Sequence, residues 1–401
     1  MTVQAGLPAE ARLLLAGRGL RAFADGFVAV LLPAYLLALG FGIWHVGVLS
    51  TATLLGSAFT TLALGTWGYR IHHRRLLLTA GALMAITGLA FANLSTFWPL
   101  LLIAFVGTLN PSSGDVSVFL PLEHMRLAHV AQGEARTTLF ARYSLVGALF
   151  AALGALAAAI PEGLARWGIG MLPAMRAMFL FYALVGFTIW ILYRRLPGPD
   201  DVTAQPPTPL GRSRGIVIRL AALFSLDAFA GGLLVQSMLA LWLFKRFDLS
   251  LSMAAAFFFW TGLMTAFSQL AAPVIARRIG LLNTMVFTHI PSSLALIAAA
   301  FSPRLEIALG FLLLRAALSQ MDVPTRSAYV MSMVTPPERA AAASFTAVPR
   351  SLASALSPTL GAALLAAGWM AAPLIACGTL KIAYDVALLL IFRREREAEA
   401  D

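Results

Sequence analysis

The stretch "GLRAFADGFVAVLLPAYLLALG", from Gly19 to Gly40, is almost wholly apolar and long enough to cross a bilayer, yet it carries Asp25 near its middle. A helix needs about 20 apolar residues to span the hydrocarbon. By that criterion the sequence predicts twelve spans, at 13–39, 43–67, 76–94, 97–121, 137–160, 174–195, 216–243, 251–276, 282–301, 305–331, 341–367 and 370–392. Composition points the same way: of 401 residues, 60% are hydrophobic and 12% charged. A soluble globular chain is about half apolar and about a quarter charged. The reading is an all-α, multi-pass membrane protein, and a soluble protein with an oversized core is set aside.

A net charge of +11 would suggest nucleic acid in a soluble domain. Here the arginines cluster between apolar runs, which suits cytoplasmic loops and anionic headgroups, so membrane lipids and not nucleic acid are the expected polyanionic partner. The single cysteine, Cys377, excludes an intrachain disulfide and a cysteine-rich metal site. The N-terminus lacks the basic-then-apolar order of a cleaved signal peptide, so the first span is expected to be kept. "YRRLPGPDDVTAQPPTPLGRSRG" is the one long polar, Pro-rich stretch and falls at the midpoint. It divides the chain into a six-helix half at 1–195, a cytoplasmic linker at 196–215 and a second six-helix half at 216–401. The basic loops at 69–75, 193–196, 276–280 and 392–397 fall on one side when spans are counted alternately, which places both termini in the cytoplasm.

The halves repeat one another. "DGFVAVLLPAYLLAL" from Asp25 aligns with "DAFAGGLLVQSMLAL" from Asp227, and "SSGDV" (112–116) with "SQMDV" (319–323). "AFTTLALGTWGYR" (58–70) aligns with "AFSQLAAPVIARR" (266–278), and "RYSLVGAL" from Arg142 with "RSLASAL" from Arg350. Four matches in one order indicate an internal duplication, as in transporters built from parallel repeats.

Twelve spans, a 6+6 duplication, a mid-chain linker and a basic loop between spans two and three together resemble the major facilitator superfamily, in its bacterial efflux type. In that loop, "GTWGYRIHHRR", Gly65 and Arg70 match the family pattern, while Tyr69 stands where the family has Asp. The second copy keeps Arg278 and Gly280. The resemblance implies two pseudo-symmetric six-helix bundles rocking about a central site. It also implies a cytoplasmic gate latched by an ion pair, whose acid would here be Asp115 or Asp322.

Asp25, Arg142, Asp227, Arg315, Arg350, Lys381 and Asp385 all fall inside spans. Each would cost about 2.5–3.5 kcal/mol at the centre of a lipid-facing helix. They are therefore expected to face one another or a hydrated path. Asp25 and Asp227 occupy the same depth, and a carboxylate that is neutral at one stage of a cycle and charged at another is what proton coupling requires. Arg21, four residues before Asp25, and Arg219, eight before Asp227, are alternative neutralisers of these acids. Lys381 and Asp385 share one helix face, as a closed intrahelical pair or a switchable one. Arg315 is the candidate for an anionic substrate group or for a partner of Asp25 or Asp227. Gln236, Tyr35, Asn110 and Trp260 are candidate cavity-lining groups or interhelical contacts. Arg70, Asp115, Arg142, Arg278, Asp322, Arg326 and Arg350 are gate candidates, with Glu123 beside them.

No phosphate-binding loop, G-x-S-x-G or H-E-x-x-H occurs, and no histidine group has metal-ligand spacing, so neither an enzyme nor a metal or other cofactor is expected. The expected function is a monomeric secondary transporter of the bacterial inner membrane. It would exchange protons for a small amphipathic organic compound and export that substrate. Import of an organic anion or metabolite, and lipid flipping, are the alternative readings.

Overall fold

The computed structural model describes residues 7–67, 71–112, 118–130, 133–197, 211, 213–335 and 338–398, and every regular element among them is a helix. In chain order these are α1 (Ala9–Ala38), α2 (Ile43–Trp67), α3 (His73–Asn93), α4 (Phe97–Val106), α5 (Phe119–Val130), α6 (Gly133–Ala157), α7 (Ile160–Arg166) and α8 (Met171–Arg194). Then follow α9 (Arg214–Gly232), α10 (Gln236–Phe247), α11 (Leu251–Ile279), α12 (Leu281–Phe301), α13 (Leu305–Ser319), α14 (Asp322–Met333), α15 (Arg339–Ala366) and α16 (Ala372–Ala398).

Helix dominates because hydrocarbon offers no partner to a free amide, and only intrahelical bonding satisfies a single spanning segment. Among the described residues ten helical stretches are long and apolar enough to cross a membrane. The chain is a multi-pass membrane protein. The other two expected spans differ. At 97–121 the apolar helix is α4, of 10 residues, and 113–117 lie outside the described residues. At 341–367 stands α15, 28 residues long, whose Ser and Thr content, with Arg350, Pro349 and Pro358 inside it, lowers its hydropathy. Two expected spans are also broken. Gly231–Gly232 ends α9 before α10 begins, and Gln320–Met321 separates α13 from α14.

The chain forms two compact units: residues 1–41, 56–204 and 251–259, and residues 42–55, 205–250 and 260–401. In the first, α1 packs on α6 and α8, and α3 on α8. From Phe27 to Leu32 every residue of α1 is fully buried, the pattern of a helix surrounded by others. On α8, Leu184 and Phe187 are exposed, an outward face suited to lipid tails. Gly26 lets α1 approach the Ala151 carbonyl of α6, and Gly154 lets α6 approach the Phe23 carbonyl of α1. Glu162 of α7 caps the first turn of α11, accepting from the amides of Leu251 at 2.7 Å and Ser252 at 3.0 Å.

In the second unit, α9 packs on α15 and α16, and α12 on α13, α14 and α16. Phe224, Tyr329, Tyr384 and Phe392 fill the core between α9, α12, α14 and α16. Outside the spans, Glu338 accepts from the Gly211 amide at 2.5 Å, the Ser213 amide at 3.3 Å and the Thr335 hydroxyl at 2.8 Å. The described end of the expected linker is thus fastened to the start of α15. Hydrogen bonds from Ser213, the Gly211 amide and the Thr335 hydroxyl hold the Glu338 carboxyl down at about 2.

Gly154→Leu should lower the thermal midpoint by several degrees, because its side chain would meet backbone that cannot yield, at a cost of about 1–3 kcal/mol or more. Gly163→Leu, a site with nothing within 4 Å of an added Cβ, should leave the midpoint unchanged. The Glu338 contribution has a defined sign: its folded-state value lies below that of an unfolded carboxylate, about 4.3. The stabilisation is therefore full above that range and lost as pH falls toward about 2. The thermal midpoints of wild type and Glu338→Gln should differ at neutral pH and converge on acidification.

Candidate functional site

In the first unit, α1, α5, α6 and α8 converge on one carboxylate. Glu123 of α5 is fully buried, as are Arg21 of α1, Tyr143 of α6 and Tyr193 of α8. Arg21 grips Glu123 with both terminal nitrogens, at 2.5 and 3.0 Å. The hydroxyls of Tyr143 and Tyr193 donate to the same carboxylate. The Arg21 guanidinium lies 4.5 Å from the Phe119 ring centre. This acid has every lone pair engaged and one dedicated cation. Nearby, Arg126 donates from Nε to Glu10 at 2.6 Å. Arg21 thus serves Glu123 and not Asp25, correcting the expectation that it neutralises the acid one turn along its own helix. Asp25 is buried at 4% exposure and lies within electrostatic reach of the Tyr182 hydroxyl.

The second unit is built differently. Asp227 of α9 receives Lys381 of α16 at 2.6 Å on Oδ1 and Arg326 of α14 at 3.3 Å on Oδ2. Arg326 is shared in turn with Asp322, one helical turn before it, and its guanidinium lies 5.4 Å from the Phe224 ring centre. His289 of α12 places Nδ1 at 3.1 and 3.0 Å from the two oxygens of Asp385. Its Nε2 lies 3.4 Å from Lys381 Nζ and 3.8 Å from Asp227 Oδ1. Three carboxylates, two fixed cations and one imidazole therefore form a continuous chain. Within it Lys381 is the most exposed, at 13% of its side chain, and Asp385 the least, at 0%.

Lys381 and Asp385 do not pair with each other, although they share a face of α16. The lysine reaches across to α9, where a second cation already competes for the same carboxylate, and the aspartate turns to the imidazole of α12. Asp322 and Arg326, expected at a gate, join the network around Asp227. Arg350 is exposed on α15 but within electrostatic reach of Arg326, Asp227 and Asp322. Arg315 of α13 is half-buried. Its carbonyl accepts from the Ser292 hydroxyl at 3.3 Å, and Asp227 is held by Lys381 and Arg326 and not by Arg315.

The other candidates are spread out. Tyr35 is fully buried, donates to the Phe91 carbonyl at 2.5 Å and packs on Phe179, so it is an interhelical contact and not a cavity-lining group. Asn110 is buried too, closing a local turn by accepting from the amide and hydroxyl of Ser112 at 3.0 and 2.7 Å. Gln236 begins α10 and is half-buried, and Trp260 is exposed. Arg142 and Arg278 are exposed, whereas Arg70 and Asp115 lie outside the described residues. Sequence reasoning missed His289, Tyr143 and Tyr193. An ionisable group within the apolar run "MVFTHIPSSLAL" was the available signal for His289. Nothing in the sequence marked the tyrosines. Among the described residues no cluster of His, Cys, Asp and Glu is arranged to hold a metal ion.

The sequence pattern of the Major Facilitator Superfamily matches residues 14–319. A membrane protein of Saccharomyces cerevisiae, YJR124C, is 24% identical over 420 residues, covering 96% of this chain and 94% of its own. Among solved structures, the inward-open xylose transporter XylE of E. coli superposes with a TM-score of 0.75 at 13% identity, covering 94% of this chain and 95% of its own. The nucleoside transporter NupG superposes with a TM-score of 0.73 at 14% identity, covering 96% and 99%. At these identities the two structures speak for the fold alone.

Truncating one partner of the first-unit pair strands a buried charge. Arg21→Met or Glu123→Met alone should cost about 3–5 kcal/mol in unfolding experiments, and the double variant should recover most of that loss. Additive losses would contradict a dedicated pair.

Proposed function

The chain belongs to the Major Facilitator Superfamily, and we propose on that premise that it is a secondary active transporter working by alternating access, with twelve spans in two six-helix bundles. Membership makes it a membrane transporter and not an enzyme. The finer reading is that protons exchange at intramembrane carboxylates, led by Asp227 and Asp25, and that this drives export of a small amphipathic organic compound. The protein would act as a monomer in a bacterial inner membrane, with both termini cytoplasmic and no cofactor.

The observation that carries this reading is the sharing of Asp227 between Lys381 and Arg326, at 2.6 and 3.3 Å. A buried carboxylate with one dedicated cation cannot give it up without a large penalty. One with two cations and a neighbouring imidazole can exchange one for another while staying neutralised. That exchange is what couples protonation to movement of a charged side chain. The apolar character of the spans and their few charges favours an amphipathic cargo over a sugar. Fold likeness does not choose among cargoes, since the neighbouring structures include carriers named for a nucleoside and for xylose.

One observation favours a second reading, transport of an organic anion. Arg315 is half-buried and its guanidinium has no carboxylate partner among the described residues. A cation of that kind inside a span is suited to an anionic substrate group.

Proteoliposomes loaded with a fluorescent amphipathic dye test the main reading. Asp227→Asn, or Asp227→Asn with Lys381→Gln to keep the charge balanced, should reduce pH-gradient-driven dye movement at least tenfold while leaving dye exchange at equal pH measurable. Gradient-driven movement at the wild-type rate in both variants would remove Asp227 as the proton carrier. The anion reading expects Arg315→Gln to abolish uptake of a fluorescent carboxylate and leave the neutral dye unaffected.

A further inference from the structure

His289 belongs to no repeat, has no charged counterpart in the first unit and was not marked by any motif, yet it stands where the second-unit network is contested. It is 3% exposed, so hydrocarbon-like burial has to be compensated by its partners. Its direct partners stand on α16 and α9, and further charged groups lie beyond them. From α16 it meets Asp385, Lys381 and the Tyr384 ring, 6.1 Å away and nearly perpendicular. From α9 it meets Asp227, which in turn holds Arg326 of α14 and through it Asp322. On α12 itself Ser292 donates to the Arg315 carbonyl of α13, whose guanidinium makes no ion pair with the network among the described residues. Arg350 of α15 lies at longer electrostatic reach of Asp227.

With Asp385 ionised, the contacts select one tautomer. The carboxylate then offers only acceptors, so the nitrogen facing its two oxygens, Nδ1, carries the hydrogen. Lys381 has only donors, so the nitrogen it faces at 3.4 Å, Nε2, must offer a lone pair. In this state Lys381 bridges His289 Nε2 and Asp227 Oδ1. Now let one proton from water bind Nε2. The new N–H faces an ammonium that can accept nothing, so the hydrogen bond between the two is lost and replaced by like-charge repulsion. Asp227 Oδ1, the very oxygen that Lys381 uses, lies 3.8 Å from the same nitrogen, within reach of a small side-chain shift. Both cations cannot keep that acceptor.

We propose that His289 is the coupling switch of the second unit: a proton taken up at Nε2 displaces the Lys381 ammonium from Asp227. Charge balance supports the exchange. Among the described residues the carboxylates Asp227, Asp322 and Asp385 face two fixed cations at contact distance, Lys381 and Arg326, so the network has room for one further positive charge. After proton uptake, imidazolium and Arg326 hold Asp227, and Lys381 is free on the more exposed side of the cluster. The ammonium lies against Gly231, near the break between α9 and α10, where an added Cβ would stand 3.7 Å from Lys381 Nζ, in van der Waals contact with it. The released lysine is then the group that meets substrate or solvent. This consequence rests on the proton-coupled reading above, whereas the switch itself does not.

The test is nuclear magnetic resonance of the full chain, labelled with [15N]histidine, in lipid nanodiscs. The His289 signals are assigned by their loss in His289→Gln. At high pH the switch requires the Nδ1–H tautomer. On acidification the switch requires proton uptake at Nε2, read as conversion of the ring to imidazolium. Lys381→Gln, which removes the competing cation, should raise the proton affinity of His289 at least tenfold. Lys381→Arg should restore the wild-type transition, and Asp385→Asn should lower the affinity. An Nε2–H tautomer, or a transition unmoved by Lys381→Gln, would overturn the proposal. Where Lys381→Gln does not fold, the Lys381→Arg and Asp385→Asn arms decide in the same way. Dye movement in proteoliposomes separates the two claims. His289→Gln should retain dye exchange with its pH dependence flattened. If wild-type transport has no pH dependence while the spectral competition holds, the proton-coupled reading falls and the switch stands.

Discussion

An ionised side chain in hydrocarbon is tolerated only when another side chain or water takes the place of the hydration it has lost. Everything distinctive in this structure follows from that constraint. Charges on α1, α5, α9, α12, α14 and α16 are drawn to helix–helix contacts and satisfied there. Close helix approach makes this possible, because small residues such as Gly26 and Gly154 bring backbones near enough for side chains from different helices to meet. Helix packing and charge pairing are therefore one problem, solved together.

The two units solve it with opposite consequences. On the first helix of one repeat stands Arg21, paired with the acid Glu123, and on the first helix of the other stands the acid Asp227, paired with the base Arg326. The sign of the pair is reversed between repeats, and so is its saturation. Glu123 has a two-pronged arginine and two tyrosine hydroxyls, leaving nothing to exchange. Asp227 is held by cations that have other places to go: Arg326 to Asp322, and Lys381 to its more exposed surroundings. A saturated pair is a fastening, and a contested one is a device. This asymmetry favours the second unit as the seat of the proposed coupling, where the sequence repeat alone treats Asp25 and Asp227 as equivalents.

Span positions were legible because spanning a bilayer is a matter of length and apolarity, and both are written locally. The need for the internal charges to be satisfied was legible for the same reason. Their partners were not. Arg21 and Glu123 are 102 residues apart, and neighbours four apart, such as Lys381 and Asp385, look like partners in a sequence whether or not they are. Which face of a helix meets which neighbour depends on tertiary packing, and that decided against both local pairings. The breaks between α9 and α10 and between α13 and α14 also escaped, since each half-helix is apolar enough to join its neighbour in a hydropathy window. His289 escaped because a lone histidine carries no fixed charge to draw attention to it.

The central claim is that one buried pair is fixed and the other exchangeable. Double-mutant cycles on Arg21–Glu123 and on Lys381–Asp227, each measured by unfolding at about pH 8 and about pH 5, test it most directly. The account predicts a coupling free energy that is the same at both pH values for the first pair and falls in acid for the second, where the imidazole of His289 takes the place of the ammonium. Equal coupling at both pH values for Lys381–Asp227 would contradict it.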